Sequence, residues 1–154
     1  MPPGLLVLLI AVAAALAFGG YRALTDGRFR GTHRVRDAEP VASAEEPAQS
    51  QPRSVLDGTE WASRLGERAT LLQFSSAFCA PCRATRRILT DVAEAVPGVA
   101  HVEVDAEHHL DLVRRIGVLR TPTTLVLDKD GAEVTRAAGA PRKEQVLQAL
   151  ARTE

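Results

Sequence analysis

Net charge is the first thing that this sequence lacks. Its 19 Lys and Arg side chains are balanced by 19 Asp and Glu side chains over 154 residues. Proteins that bind nucleic acid usually present a basic face, so this balance gives no support for a nucleic-acid partner. The length fits one ordinary domain with an added segment and is short for two domains.

Cysteine is also scarce, since the whole chain has only two. Cys79 and Cys82 lie within the segment QFSSAFCAPCRATRRIL, residues 73–89, with two residues between them. Two thiols at this spacing occur in redox couples, as half of a metal site, and in fixed structural disulfides. The surrounding sequence has to separate these three alternatives.

The metal alternative is weakened by the number of ligands at hand. A zinc site normally uses four, so two would have to come from His101, His108 and His109. His108 and His109 are adjacent on a predicted helix, where neighbouring side chains point about 100° apart. A two-residue loop constrains the unfolded chain little, which disfavours a purely structural disulfide. We therefore expect redox chemistry at Cys79 and Cys82 and no metal.

The amino terminus has no charged side chain over residues 5–21. This length is at the short end for a membrane-spanning helix, which needs about 20 residues, and we predict a transmembrane anchor over 1–22. A cleaved signal peptide with its small-residue site at 15–17 is one alternative, but residues 1–4 lack the positive charge usual there. A buried core helix of a soluble protein is the other.

The segment after the predicted anchor is basic and then rich in proline. The bias of positive charge toward the cytoplasmic side predicts that the following domain is cytoplasmic. Residues 37–54 hold three prolines and almost no large apolar side chains, so we predict a juxtamembrane segment and disordered linker over 23–54 and a folded domain over 55–154. The charges behind the orientation are Arg22, Arg28, Arg30, Arg34 and Arg36.

Helix and strand patterns alternate through the predicted domain. Alternation favours parallel strands with helices on both faces, and a closing hairpin makes the sheet mixed, so the fold class is α/β. The predicted elements are a helix over 57–65, a strand over 69–75, a helix from the cysteine pair to Pro97, a strand over 99–104, a helix over 107–116, strands over 123–127 and 132–138, and a final helix from Pro141.

Three segments of this domain resemble the thioredoxin family in order, spacing and residue type. They are FCAPCR at the cysteine pair, RTPTTLVLDKDG some 40 residues later, and AAGAPRKEQVLQAL near the end. The resemblance implies a three-layer fold around a central mixed sheet, with thiol-disulfide oxidoreductase activity on protein disulfides. It also implies an electron donor that is a thiol or a reductase, and no cofactor.

The two cysteines are expected to have different roles. A thiol just before a helix is stabilised as thiolate by unsatisfied N–H groups and the helix dipole, which lowers its pKa below the free value of about 8.5. We therefore expect Cys79 to attack, and Cys82, one turn later, to resolve the mixed disulfide. Pro81 is tolerated in the first turn, where a missing N–H costs little. By resemblance, Pro122 is cis and faces the pair, and Thr121 presents its backbone to substrate.

The predicted docking rim surrounds the pair. Phe78, Ala80, Gly139 and Ala140 are expected to form a flat surface for partners, although core packing is an alternative for Phe78. Three arginines follow the pair, and we expect either a solvated helix face or electrostatic help to the thiolate or to an acidic partner. They are Arg83, Arg86 and Arg87.

Three positions depart from the usual pattern of the family. Gln73 stands where typical members have a buried Asp, and His101 where they have a buried Lys; Ser75 lies where a Trp is common. Gln73 cannot accept a proton as a carboxylate does. Deprotonation of Cys82 would then depend on His101, on water or on Glu103. We hypothesise that His101 takes over the role of proton acceptor from the missing Asp.

The function predicted from the sequence is a membrane-tethered thiol-disulfide oxidoreductase that most readily acts as a reductant in the cytoplasm. One alternative is the same enzyme exported across the membrane, acting on secreted or cytochrome-maturation substrates. The other is a redox sensor or adaptor whose disulfide changes a docking surface without turnover.

Overall fold

The structure is a computed structural model that describes residues 3–25, 27, 29–31 and 54–153. Most of the predicted juxtamembrane segment and linker, residues 26, 28 and 32–53, lies outside these residues, and so do Arg28, Arg34 and Arg36. The elements in chain order are helix α1 (Pro3–Thr25), strand β1 (Phe29–Gly31), a short 3₁₀ turn (Ala62–Arg64), β2 (Ala69–Ser75), α2 (Ala80–Ala95), β3 (Val99–Asp105), α3 (Leu110–Ile116), β4 (Thr123–Asp128), β5 (Glu133–Ala138) and α4 (Lys143–Leu150).

The described strands form one mixed sheet in the order β1-β5-β4-β2-β3. Strands β2 and β3 are parallel, and the other neighbouring pairs are antiparallel. The alternating pattern favoured a parallel β4, which is wrong. Helix α3 has seven residues and advances about 10 Å, whereas β3 covers about 23 Å. Because α3 is too short to carry the chain back along the sheet, β4 starts at the edge where β3 ends.

Apolar side chains on the two faces of the sheet form separate cores. Along β2, Leu72 and Phe74 point to one face and Leu71 to the other, as expected from the two-residue period of a strand. The first face is covered by Trp61 and the α3 region, and the second by α2 and α4. The result is the expected three-layer α/β arrangement around a central mixed sheet.

Two of the predicted helices are shorter than the sequence indicated. Instead of a helix over 57–65 there is a 3₁₀ turn over Ala62–Arg64, because the Asp57 carboxylate and Thr59 hydroxyl accept nearby backbone N–H groups and stabilise turns. Helix α3 begins at Leu110 rather than at 107, since the Asp105 carboxylate accepts the N–H of Glu107 and holds a turn there.

Strand β1 was not expected, since residues 29–31 fall within the predicted linker. It pairs with β5 through Phe29 opposite Ala137 and Gly31 opposite Thr135. A strand of three residues is too short to give a periodic signal in the sequence. Part of the segment before residue 55 is therefore paired with the sheet.

Helix α1 is long and apolar enough to cross a membrane. Its apolar stretch, Gly4–Arg22, has 19 residues and a mean hydropathy of 2.3, and none of it is buried against the rest of the chain. At 1.5 Å per residue it is about 28 Å long, close to the thickness of a bilayer core. A membrane span and a signal sequence both have these properties.

Candidate active site at the Cys79–Cys82 pair

The two cysteines form a disulfide across the first turn of α2. Their Cα atoms are 5.2 Å apart. Cys79 is the N-cap residue of the helix, and its Sγ accepts a hydrogen bond from the Cys82 N–H at 3.1 Å. Pro81 lies in the first turn, where its lack of an N–H leaves no gap in the helix. One sulfur therefore receives a hydrogen bond from the helix that it introduces.

The two sulfurs differ in access to solvent. Cys79 is partly exposed, whereas Cys82 is 2% exposed and lies on the inner side of α2. Only a sulfur at the surface can be reached by a disulfide on another protein. The geometry thus distinguishes an outer sulfur, Cys79, from an inner one, Cys82.

A second loop, which holds the Thr121–Pro122 peptide bond, is bonded to the cysteine loop. That peptide bond is cis, which confirms the expectation from the sequence. The Thr121 hydroxyl lies 3.0 Å from the Ser76 hydroxyl, in the segment just before Cys79. On the other side, the Gly139 N–H donates to the Pro122 carbonyl at 2.7 Å. Gly139 has a φ of 97°, a conformation that glycine adopts without strain.

Beneath the inner cysteine lies a polar network centred on the buried Gln73. Its Nε2 donates to the Ser75 hydroxyl at 2.7 Å and to the backbone carbonyl of Cys82 at 3.0 Å. Its Oε1 lies 3.2 Å from Nε2 of His101, whose Nδ1 lies 3.2 Å from the Thr90 hydroxyl. Since Gln73 Oε1 can only accept, His101 is assigned as the Nε2–H tautomer.

Comparison with known proteins assigns this arrangement to a family. The family model described as Thioredoxin matches residues 53–152. The chain belongs to the thioredoxin family. Thioredoxin H-type 1 of Nicotiana tabacum is 33% identical over 84 residues, which cover 54% of this chain and 65% of that protein, slightly under two thirds. Thioredoxin of Chlamydia trachomatis is 26% identical over 98 residues, 64% of this chain and 95% of its own.

Solved thioredoxin structures have the same fold. The structure of Fasciola hepatica thioredoxin superposes with a TM-score of 0.52 at 26% identity, covering 61% of this chain and 88% of that one. A mutant thioredoxin from Halobacterium salinarum gives a TM-score of 0.57 at 22% identity, covering 69% and 96%. At that identity the second likeness concerns the fold alone.

Within this thioredoxin-family domain, the hydrogen-bond partners of the His101 ring are Gln73 and Thr90. Because Gln73 also donates to the backbone carbonyl of Cys82, His101 is linked to the inner cysteine through Gln73. Burial lowers the pKa of His101 below its usual 6.5; the charge of Glu103 opposes this shift, and that of Arg86 adds to it. The ring is therefore neutral at pH 7, as the assigned tautomer requires.

The four residues predicted to form the docking rim differ in exposure. Phe78 is 98% exposed, so the core-packing alternative for this side chain is wrong. Ala80 is exposed, whereas Gly139 is buried and Ala140 is half-buried. Leu119, in the loop before Pro122, is 97% exposed and was missed. The available signal was a large apolar residue in a loop close to the cis-proline of a thioredoxin-family domain.

A groove of about 440 Å³ runs beside the disulfide. Arg86 closes part of it by pairing with Glu103, with Nε 2.6 Å from the carboxylate, and this partner raises the pKa of Arg86. Asp105 also lines the groove; the N–H of Glu107 and the ring of His108 lower the pKa of its carboxyl. The charge of Arg86 is therefore neutralised locally, while Arg83 lines the groove and Arg87 is exposed.

The three histidines considered for a metal have separate partners. His101 contacts Gln73, His108 contacts the Asp105 carboxylate at 2.9 Å, and the His109 ring stands edge-on to Trp61 with centroids 4.5 Å apart. Among residues 3–25, 27, 29–31 and 54–153, no three His, Cys, Asp or Glu side chains are grouped to hold a metal ion. His108 and His109 precede α3, so the prediction that both lie on a helix is wrong.

Proposed function

We propose that this chain is a thiol-disulfide oxidoreductase that uses Cys79 and Cys82 as its redox couple and reduces protein disulfides. The observation that carries the proposal is the disulfide across the first turn of α2, with the outer sulfur at the helix N-cap and the inner sulfur buried. Family membership supports the same activity. A disulfide with a purely structural role would not be made more stable by placing one exposed sulfur at the start of a helix.

The reaction proceeds by two exchanges. In the reduced protein, the Cys79 thiolate attacks one sulfur of the substrate disulfide; a mixed disulfide forms and one substrate thiolate leaves. Cys82, as thiolate, then attacks Cys79 and releases the second substrate thiolate. The substrate gains two electrons and, on protonation, two protons. The Cys79–Cys82 disulfide that remains is reduced again by exchange with a dithiol donor.

Each supporting residue has a proposed part in this reaction. Thr121 and Pro122 would bind the extended substrate segment beside the disulfide, and the exposed Phe78 and Ala80 would contact the substrate around it. Gly139 is buried, so its proposed part is to hold the Pro122 carbonyl through its N–H. Pro81 would limit opening of the first turn of α2. Gln73 would position the backbone of Cys82, and His101 would act as a positioning residue that orients the Gln73 amide.

Membrane attachment through α1 is part of the proposal. The helix has the length and apolar composition of a span, and its whole apolar stretch is exposed. Arginines follow it closely, which favours a cytoplasmic domain. The proposed division is an anchor over 1–22, a juxtamembrane segment and linker over 23–54 within which β1 pairs with the sheet, and a redox domain over 55–154. A reporter fused after Glu154 that is active outside the cytoplasm would contradict this orientation.

The test of activity is catalysed reduction of a small protein disulfide, with dithiothreitol as the donor and the full chain in detergent. We expect turnover above the uncatalysed rate. An equilibrium potential near about −270 mV identifies a reductant, and one near about −120 mV an oxidant. Since the chain has no other thiols, the potential belongs to this couple alone. A disulfide that cycles without any turnover would contradict the proposal and favour a redox sensor.

A further inference from the structure

One edge of the sheet holds all the loops of the proposed active site. Strand β2 ends there before the cysteines, β4 starts there after Pro122, and β5 ends there before Gly139. The register confirms the alignment, since Phe74 pairs with Thr123 and Thr123 pairs with Ala138. We call this the dithiol edge, defined by Ser75, Thr123 and Ala138.

The predicted membrane anchor enters the sheet from the same edge. Helix α1 ends at Thr25, and two residues later the N–H of Gly27 donates to the Ala138 carbonyl at 2.9 Å. From there, β1 runs away from the dithiol edge, with Phe29 opposite Ala137 and Gly31 opposite Thr135. The anchor and the dithiol therefore lie at one end of the domain rather than at opposite ends.

The contact at Gly27 is close and leaves no room for a side chain. Gly27 has a φ of 71°, and a Cβ built on it would lie 2.2 Å from the carbonyl oxygen of Ala140. Ala140 follows Gly139, whose N–H bonds Pro122. The backbone at Gly27, two residues after the end of α1, is thus packed on the loop that adjoins the cis-proline.

The anchor, β1 and the strand that leads to Cys79 are separated by short distances. Phe29, Ala137, Thr124 and Gln73 form one row across the sheet, so β1 is three strand spacings, or about 14 Å, from the strand that leads to Cys79. From Arg22, at the end of the apolar stretch, to Gly27 the chain covers at most about 12 Å.

We propose that the substrates are disulfides in membrane-proximal segments of membrane-bound proteins, because β1 holds the dithiol edge toward the membrane. This rests on the proposed function and on α1 being a membrane span. Phe78 and Leu119 lie in the loops of the dithiol edge and are 98% and 97% exposed. They fit a partner whose cysteines are flanked by apolar residues, as is common where a chain leaves a bilayer.

Orientation is tested by fluorescence in phosphatidylcholine vesicles that contain headgroup-quencher lipids. The full chain, with both native cysteines replaced by serine, carries a fluorophore on Leu119→Cys at the dithiol edge or on Lys129→Cys at the opposite edge of the sheet. We expect strong quenching at 119 and several-fold weaker quenching at 129. Equal or reversed quenching would overturn the proposal without any reference to activity.

Substrate preference is tested with one disulfide hairpin peptide in three forms: soluble, fused closely to a transmembrane helix, and fused through a rigid spacer of about twice the domain diameter. The wild type should reduce the close form at least about tenfold faster than the distant one. Inserting 20 Gly and Ser residues between positions 26 and 27 should bring this ratio near one. The same insertion between positions 40 and 41, after β1, should leave the wild-type ratio unchanged, because the anchor then stays joined to β1.

The three substrates separate the two proposals. Reduction of the soluble peptide should be equal in the wild type and both insertion variants. If soluble reduction is normal and the wild type does not prefer the close form, the membrane-facing geometry is wrong and the oxidoreductase stands. If the soluble peptide is not reduced by any of the proteins, the proposed function itself fails.

Discussion

Replacing Cys79 with serine is expected to lower catalysed disulfide reduction by at least about 1,000-fold, to the uncatalysed background. Serine has nearly the same size, but its hydroxyl is not ionised near neutral pH and does not exchange with disulfides. Cys79 is the sulfur that a protein substrate can reach, since Cys82 is 2% exposed. The rate of dithiothreitol-driven reduction of a small protein disulfide is the measurement.

Replacing Cys82 is the matched control, because it removes the other sulfur of the same disulfide. The Cys82→Ser variant keeps the attacking thiol and loses the resolving one, so a mixed disulfide at Cys79 should accumulate and be visible by mass spectrometry. The Cys79→Ser variant should trap nothing. Trapping through Cys82 in Cys79→Ser, or normal turnover in Cys82→Ser, would reverse or remove the assigned roles.

Replacing Gln73 with leucine is expected to destabilise the domain by about 2–3 kcal/mol, since the two side chains are similar in size but leucine cannot hydrogen-bond. The change leaves the Ser75 hydroxyl and Nε2 of His101 without their present partner and removes a bond to the Cys82 carbonyl. For a domain of about 100 residues this lowers Tm by roughly 10–20 °C. Thermal unfolding of the oxidised protein measures it.

Companion variants separate loss of the network from loss of packing. Gln73→Leu combined with His101→Leu should recover about 1 kcal/mol, because removing both partners leaves fewer unsatisfied groups than removing one. His101→Ala alone should slow release of the substrate from a mixed disulfide, since it frees the Gln73 amide that contacts Cys82. A neutral Gln73→Leu, or unchanged release in His101→Ala, would show that the network has no such role.

The sequence predicted the parts of the site that local chemistry determines. Cys79 lies at a helix N-cap and Pro81 in the first helical turn, which are positions where these residue types are favourable. The short apolar runs form β2 to β5, because their side chains are buried in the cores on the two faces of the sheet. The cis bond before Pro122 and the burial of Gln73 were foreseen through resemblance to the thioredoxin family rather than from the residues alone. All of these features belong to short sequence motifs, and such motifs can be read from a single sequence.

What the sequence did not predict depends on contacts between distant segments. The pairing of β1 with β5 requires Gly27 to meet Ala138, more than 100 positions away, and three residues give no periodic signal. The direction of β4 depends on how far α3 reaches. The contact of His101 with Gln73 depends on the register between β2 and β3, in which His101 pairs with Leu71, two residues before Gln73 on the same strand.

The helix that Cys79 introduces is expected to make the Cys79 sulfur anionic, and titration of the reduced protein measures this. The ultraviolet absorbance of the thiolate, or the rate of alkylation at Cys79, is followed against pH, with Cys82→Ser as the single-thiol form. Because the helix N-terminus stabilises the thiolate, the pKa of Cys79 is expected to lie clearly below that of an ordinary thiol. A value at or above the ordinary thiol value of about 8.5 would contradict it.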